Sequence, residues 1–208
     1  MLTNSIAMNK FLYFVLFIIV GCQNVKDTKN SSLLNDNLYK LHNVKQIGFP
    51  DNTNTYIALD SIQKDILFKP FLESDLKAIS FGFDAYFVAK QEKIYSLTPI
   101  IVDISGTDYS AQWLMLIDSK FVTVSKMELG HQESGPRFTT DTTYTLWPEN
   151  ISYFSNDTIK TISVIKTERN QSPSDLIVDS IICIKKILSN GKILAIRSDS
   201  LRIRKQNH

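Results

Sequence analysis

The sequence predicts an all-β fold, mainly antiparallel, in which a meander of strands forms either a sandwich or a partly open barrel. Roughly nine or ten short runs of alternating or β-branched residues recur about 8–12 residues apart. Turn-forming residues separate these runs, and Asn190-Gly191 between two of them is a strong hairpin signal. Helical periodicity is scarce, so we expect at most one or two short helices in the body of the protein.

The first elements of the body are one helix candidate and two strand candidates. After Pro70, residues 71–79 place their apolar members on one stripe, which predicts a short helix. Residues 81–87 alternate Phe or Ala with Gly, Asp and Tyr, which predicts a strand with one apolar face. Residues 100–104 form a short apolar run that ends at Ser105-Gly106, as a strand running into a turn does.

Three hairpins follow, each indicated by turn residues between two strand-like runs. At Asn190-Gly191 we expect a type I′ turn, because that turn needs a positive φ at both central residues. The last strand candidate alternates Leu201 and Ile203 with polar residues such as Ser200, which predicts a half-exposed closing strand. The three predicted pairs are 112–117 with 121–129, 151–154 with 158–166, and 181–188 with 192–197.

The N-terminus has the features of a secretory signal helix. Lys10 precedes an unbroken apolar stretch at residues 11–20. A transmembrane helix needs about 20 apolar residues, so this stretch is too short to span a bilayer permanently. Its length, the preceding positive charge and a small residue at its end suit a signal peptide. Translation could begin at Met1 or at Met8, which would leave a compact basic region before the apolar stretch.

Residues Ile19-Val20-Gly21-Cys22 end the apolar stretch with two aliphatic residues, a small residue and a cysteine. This segment resembles the lipobox of bacterial lipoproteins, and the resemblance is confined to residues 1–22. It implies cleavage after Gly21 and attachment of diacylglycerol to Cys22. Two or more acyl chains anchor a protein stably, since each buried CH₂ contributes about 0.8 kcal/mol. The resemblance therefore predicts a membrane partner reached through lipid on Cys22.

The resemblance also divides the chain. It implies a signal peptide at residues 1–21, a polar lipid-anchored tether at 22–45 and a single β-rich domain at 46–208. Removing the signal peptide leaves 208 − 21 = 187 residues, enough for one domain with its own core. Gln23 stands where an Asp would imply retention at the inner membrane, and no acidic run follows. We therefore expect the outer membrane and its periplasmic face.

Charge and cysteine usage favour no nucleic-acid or redox function. Without Lys10 the mature chain has 22 basic and 21 acidic residues, a net charge of 22 − 21 = +1. Residues 159–208 hold ten basic and four acidic residues, a net +6, but these form no consecutive block. We interpret them as solvated strand faces and expect no nucleic-acid partner. Cys183 lies in the apolar run 181–184, which predicts a buried, inert thiol.

Few residues form a pattern that could carry chemistry. The most polar loop candidate is 130–137, whose His131, Glu133 and Arg137 are our candidate binding residues. Zinc needs three or four ligands, and too few accompany His131, so we expect no metal. Phosphate cradles, Gly-x-Ser-x-Gly elbows and nicotinamide fingerprints are absent from the sequence, so we expect no cofactor and assign no catalytic residue.

Three functional hypotheses remain from the sequence. The leading one is a non-catalytic, membrane-anchored domain that binds a partner protein or another envelope component. The second is a carrier of an apolar ligand, which would need a barrel with a cavity of several hundred Å³. The third is an unidentified hydrolase, which would need Asp103, His131 and Glu133 gathered in one cleft. A filled core with an exposed apolar patch would favour the first.

Overall fold

The computed structural model describes residues 37–49, 56–71, 83–106, 109–133, 137–140, 143–145, 149–169 and 172–206. The chain divides between Lys40 and Leu41, and every strand belongs to the unit Leu41–His208. Residues 37–40 are helical. Within Leu41–His208, the described residues contain one α-helix, α1 (Ser61–Phe68), followed by a 3₁₀-helix (Lys69–Phe71). Its strands are β1 (Gln46–Phe49), β2 (Ile57–Ala58), β3 (Asp84–Lys90), β4 (Thr98–Ser105), β5 (Tyr109–Ile117), β6 (Thr123–Glu133), β7 (Arg137–Thr140), β8 (Thr143–Thr145), β9 (Glu149–Ser155), β10 (Thr158–Arg169), β11 (Ser172–Ile187) and β12 (Ile193–Gln206).

The described strands form two antiparallel sheets. Sheet A has the order β2-β3-β4-β5-β6, so each strand lies beside the next one in the chain. Sheet B has the order β1-β9-β10-β11-β12, with the hairpin of β7 and β8 joined to β10 through β8. β1 joins this sheet by antiparallel pairing with β9. The all-β, antiparallel meander predicted from the sequence is confirmed.

The core lies between the two sheets. Ala89, Ile101 and Leu114 of sheet A pack in one cluster with Ile159 and Ile187 of sheet B, and all five are buried. Gln112 also points from sheet A towards sheet B, because its Nε2 donates to the Gly48 carbonyl of β1 at 3.5 Å. The two sheets are therefore the layers of a sandwich, and burial of these apolar side chains is its main source of stability.

Sheet A is covered on its second face by α1. Phe87 and Ile100 are fully buried on that face, as are Leu67 and Phe68 at the end of the helix. Thr123 Oγ1 at the start of β6 donates to the Leu67 carbonyl at 2.9 Å, which fixes the end of α1 against the sheet. Burial on both faces explains why β4 and β5 are almost continuous apolar runs rather than alternating ones.

Side-chain hydrogen bonds at its first turn and a proline after its last residue set the limits of α1. Asp60 Oδ1 accepts from the Gln63 amide at 2.8 Å, and Gln63 Oε1 accepts from the Asp60 amide at 3.0 Å. This reciprocal pair is a capping box, which satisfies two amides that the first turn leaves without partners. Pro70 then prevents the α-helix from continuing. The predicted helix at 71–79 lies outside the described residues, apart from Phe71 in the 3₁₀-helix.

All three predicted hairpins are present, at 117–123, 155–158 and 187–193. The type of the last turn differs from the prediction. Gly191 has a φ of 82°, whereas Asn190 is not among the residues with positive φ. The Gly191 amide donates to the Leu188 carbonyl and the Leu188 amide to the Lys192 carbonyl, both at 2.9 Å. This is a three-residue loop with glycine at its left-handed position, not a type I′ turn.

Two predictions for the C-terminal strands are wrong. Cys183 is partly exposed, not buried, and Leu201 and Ile203 are exposed rather than turned into a core. In β11, Ile182 and Ile184 point to one face while Ile181 and Cys183 point to the other. The apolar run 181–184 therefore reflects a strand that is apolar on both faces. Burial in β10 and β11 is confined to Ile159 and Ile187 at the end next to sheet A, among side chains that the structure describes.

Candidate interaction surface

Sheet B has one face in the sandwich core and one face turned away from it. Side chains alternate between the two faces along each strand. The core face carries Ile47, Ile159 and Ile187. The residues of opposite parity, such as Lys160 beside Ile159, form what we call the outer face.

An apolar row runs across three strands of the outer face, β9, β10 and β11, and ends opposite Asp199 of β12. Ile151 of β9 is opposite Ile162 of β10, and Ile162 is opposite Ile182 of β11. The apolar residues of the outer face include Ile151, Tyr153, Ile162, Val164, Val178, Ile182, Ile184, Leu201 and Ile203. Tyr153, Leu201 and Ile203 are 37%, 59% and 44% exposed, and the others are half-buried. A patch of this kind on a sandwich whose core is already filled is typical of an interaction surface.

Ion pairs border the apolar row. Lys166 Nζ is 2.6 Å from Glu149 Oε1, and Arg197 Nε is 2.6 Å from Asp199 Oδ2. These exposed pairs contribute little to folding stability, because water screens them. They place charged groups of both signs at the edge of the apolar row. Such a polar rim around an apolar centre is the usual arrangement of a protein–protein interface.

On the core face of the same strands, Arg202 forms a two-point ion pair with Asp179. Arg202 Nε lies 2.6 Å from Asp179 Oδ1, and a second nitrogen lies 2.8 Å from Oδ2. These hydrogen bonds hold the pKa of Asp179 below its ordinary value and raise the pKa of Arg202 above its own. The pair is exposed, and it joins β11 to β12 in the part of these strands that lies away from sheet A.

The outer face ends at an unpaired sheet edge. β12 is the last strand in the order of sheet B, and none of the described strands pairs with its far side. It is 14 residues long, with a register shift at Ile184/Lys185 that leaves Ile196 as an extra residue. Bulges and charged residues on an edge strand hinder uncontrolled pairing with other chains.

The binding loop predicted at 130–137 is only partly a loop. His131 and Glu133 belong to strand β6, and Arg137 is the first residue of β7, so the prediction is wrong for residues 130–133. Residues 134–136 lie outside the described part of the chain. His131 Nδ1 contacts Glu128 Oε1 on the same strand. Residues 130–133 form backbone pairs with β5, so they belong to a strand although their polar composition suggested a loop.

The cleft that a hydrolase would need is not formed by Asp103 and His131. Asp103 is opposite Gln112 of β5, and His131 is opposite the adjacent residue Ala111. Adjacent residues of a strand point to opposite faces, so Asp103 faces sheet B and His131 faces away from it. Among the residues described, no group of three His, Cys, Asp or Glu side chains has the arrangement of a metal site.

Comparison with models of known protein families, with characterised proteins and with solved structures gave no match. In the part of the chain that the structure describes, no helix has the length and apolar character to cross a membrane.

Proposed function

We propose that this chain is a lipid-anchored protein of the bacterial envelope whose β domain is non-catalytic and binds a partner protein. The anchor is lipid on Cys22 after cleavage behind Gly21, and the location is the periplasmic face of the outer membrane. The binding surface is the outer face of sheet B. The observation that carries this proposal is the apolar surface of that face, on which Leu201 is 59% exposed.

The chemistry of the outer face specifies the kind of partner. Leu201 and Ile203 project from β12, where a partner could remove them from water, and burial of such a side chain contributes about 1–2 kcal/mol. Lys166 with Glu149 and Arg197 with Asp199 would set the orientation of that partner at the rim. These features support, as the partner, a protein with its own apolar patch bordered by charged residues.

The carrier alternative in its barrel form is less well supported. The described pairings of sheet A run from β2 to β6 and those of sheet B from β1 to β12, and neither series closes on itself. The space between the sheets is filled by buried side chains such as Ile101 and Leu114. A sandwich with a filled core has no central cavity of the kind that carrier barrels use.

The anchor is tested by removing its attachment residue. Cys22→Ser should abolish incorporation of an alkyne-labelled fatty acid and move the protein out of the membrane fraction, or leave it uncleaved. The reason is that serine lacks the thiol to which the diacylglycerol would be attached. Cys183→Ser is the matched control and should retain label and membrane association. A wild-type chain that takes up no label would contradict the lipoprotein assignment.

The binding surface is tested by photo-crosslinking in cells of the source organism. A photoreactive phenylalanine at position 201 should capture one protein partner, whereas the same residue at 200 should give only background. Leu201 and Ser200 are exposed neighbours on β12 but point to opposite faces, so the pair isolates the outer face.

Introducing a negative charge at position 201 or 200 measures how much each side of β12 contributes to the affinity for the partner. Leu201→Asp should weaken recovery of the partner by roughly tenfold or more, because it buries an unpaired carboxylate, while Ser200→Asp should not. Equal crosslinking at both positions, or adducts with lipid alone, would contradict a protein-binding outer face.

A further inference from the structure

A cavity of about 540 Å³ opens at one end of the sandwich, away from the outer face. It lies where residues 91–95, between β3 and β4, meet residues 154–157, around the β9–β10 turn. Residues 43–45, which precede β1, complete the wall. A volume of several hundred Å³ is in the range of small-molecule sites.

The apolar part of the cavity wall is formed by Val44, Ile94 and Phe154, which line the cavity and are only partly buried. Behind them lie Leu114, Ile159 and Ile187 of the core, which are themselves fully covered. An alkyl or similar apolar group could therefore lie against Val44, Ile94 and Phe154 and be removed from water, which is favourable in proportion to the area buried.

The negative charge of Asp157, at the mouth of the cavity, is balanced by neighbouring residues. Tyr95 Oη donates to Asp157 Oδ2 at 3.2 Å, Thr158 Oγ1 donates to Oδ1 at 3.2 Å, and Lys186 Nζ lies 3.5 Å away. Partial burial alone would raise the pKa of Asp157, but the charge of Lys186 and these hydrogen bonds outweigh it and lower the pKa. The carboxylate remains ionised and is not available to bind a cationic ligand.

The Tyr95–Asp157 hydrogen bond also ties the two sheets together at the mouth. Tyr95 adopts a φ of 57°, an uncommon conformation for a residue with a side chain. It belongs to the connection between strands of sheet A, whereas Asp157 belongs to a turn of sheet B. The hydrogen bond therefore joins a connection of sheet A to a turn of sheet B beside the cavity.

Two lysines at the mouth lack a carboxylate that would balance their positive charge within the described residues. Lys45 and Lys93 line the cavity, and neither has a carboxylate within ion-pair distance among the described residues. Glu92 is the other acidic residue in the lining. With Asp157 neutralised by Lys186, the remaining charge at the mouth favours an anion. The buried Gln91 in the wall adds an amide Nε2 that has no acceptor among the described residues.

We propose that this cavity binds a small amphipathic carboxylate, with its apolar tail against Val44, Ile94 and Phe154 and its acidic head between Lys45 and Lys93. The site is separate from the outer face of sheet B and does not depend on the function proposed for that face. A medium-chain fatty acid is the simplest molecule with this chemistry.

The test uses the full lipidated chain in nanodiscs and a decanoate probe that carries a photoreactive diazirine in its tail. Adducts mapped by mass spectrometry should fall on cavity residues such as Phe154 and Ile94. Unlabelled decanoate should compete, whereas acetate, which lacks the tail, and decylamine, which reverses the head charge, should not. Adducts elsewhere on the chain, or equal competition by decylamine, would overturn the proposal.

Charge reversal at the mouth supplies the matched comparison. Lys45→Glu with Lys93→Glu should weaken competition by decanoate about tenfold, because two attractions become repulsions. The control is Lys120→Glu with Lys192→Glu, two exposed lysines in turns outside both the cavity lining and the outer face, whose reversal changes the net charge equally. Equal losses in both double variants would show a nonspecific charge effect and overturn the site. Partner crosslinking from position 201 should be unchanged in both, so the two proposals can fail separately.

Discussion

Gly191→Val should lower the free energy of unfolding by about 3 kcal/mol or more. Gly191 has a φ of 82°, a region that costs a residue with a side chain about 1–2 kcal/mol, and a β-branched one more. A Cβ on this glycine would also lie 2.7 Å from Val124 Cγ1 and 3.2 Å from Leu97 Cδ1 of sheet A. Such overpacking costs roughly 1–3 kcal/mol in addition. The measurement is urea unfolding of the chain lacking residues 1–22.

Ser200→Val is the control, because it introduces the same side chain on β12 at an exposed position. It should change the free energy of unfolding by no more than about 0.5 kcal/mol. Gly191→Ala isolates the contribution of the branched methyl groups, since it meets the same φ penalty and the same Cβ contacts without them. Equal effects of valine at positions 191 and 200 would mean that the β11–β12 turn does not pack against Val124.

Gly130→Ala should lower the free energy of unfolding by about 1–3 kcal/mol, because the added methyl group would push the two sheets apart. An added Cβ would lie 2.6 Å from Asn150 Nδ2, 2.9 Å from its Cγ and 3.0 Å from its Cβ. Gly130 belongs to β6 and Asn150 to β9, so the two sheets approach each other closely at this glycine. The Asn150 side chain is buried and cannot swing freely into water.

A double-mutant cycle with Asn150→Ala tests that contact directly. Removing the amide takes away the two nearest atoms, so Gly130→Ala should cost less in the Asn150→Ala background than in the wild type. The coupling should be about 1 kcal/mol and favourable. Gly48→Ala is the control, because its added Cβ meets only the Asn150 carbonyl oxygen at 3.9 Å. Additive effects of the two changes would place the sheets further apart than described.

Several elements could be predicted from local sequence because local chemistry decides them. The turn residues 118–120, 156–157 and 190–191 marked three hairpins, and the run 100–104 marked a buried strand. Asp60 and Gln63 have the spacing of a capping box, so the sequence also contains a start signal for α1. The helix prediction instead followed the apolar stripe at residues 71–79.

The candidate sites were much less predictable. The outer face was missed because the run 181–184 looks the same whether a strand is buried in a core or apolar on both exposed faces. The cavity was missed because its walls come from residues 43–45, 91–95 and 154–157, which are far apart in the chain. Only the pairing of strands and the packing of sheets bring such segments together.

What the sequence alone determined is therefore local: strand-forming runs, the positions of turns, the antiparallel meander that short connections impose, and the lipobox-like segment at residues 19–22. What the tertiary structure decided is which face each side chain occupies and what covers that face. It placed Asp103 and His131 on opposite sides of sheet A and left Leu201 in solvent. The physical reason is that a strand offers two faces with equal local geometry, and only the neighbouring layer determines which of them is buried.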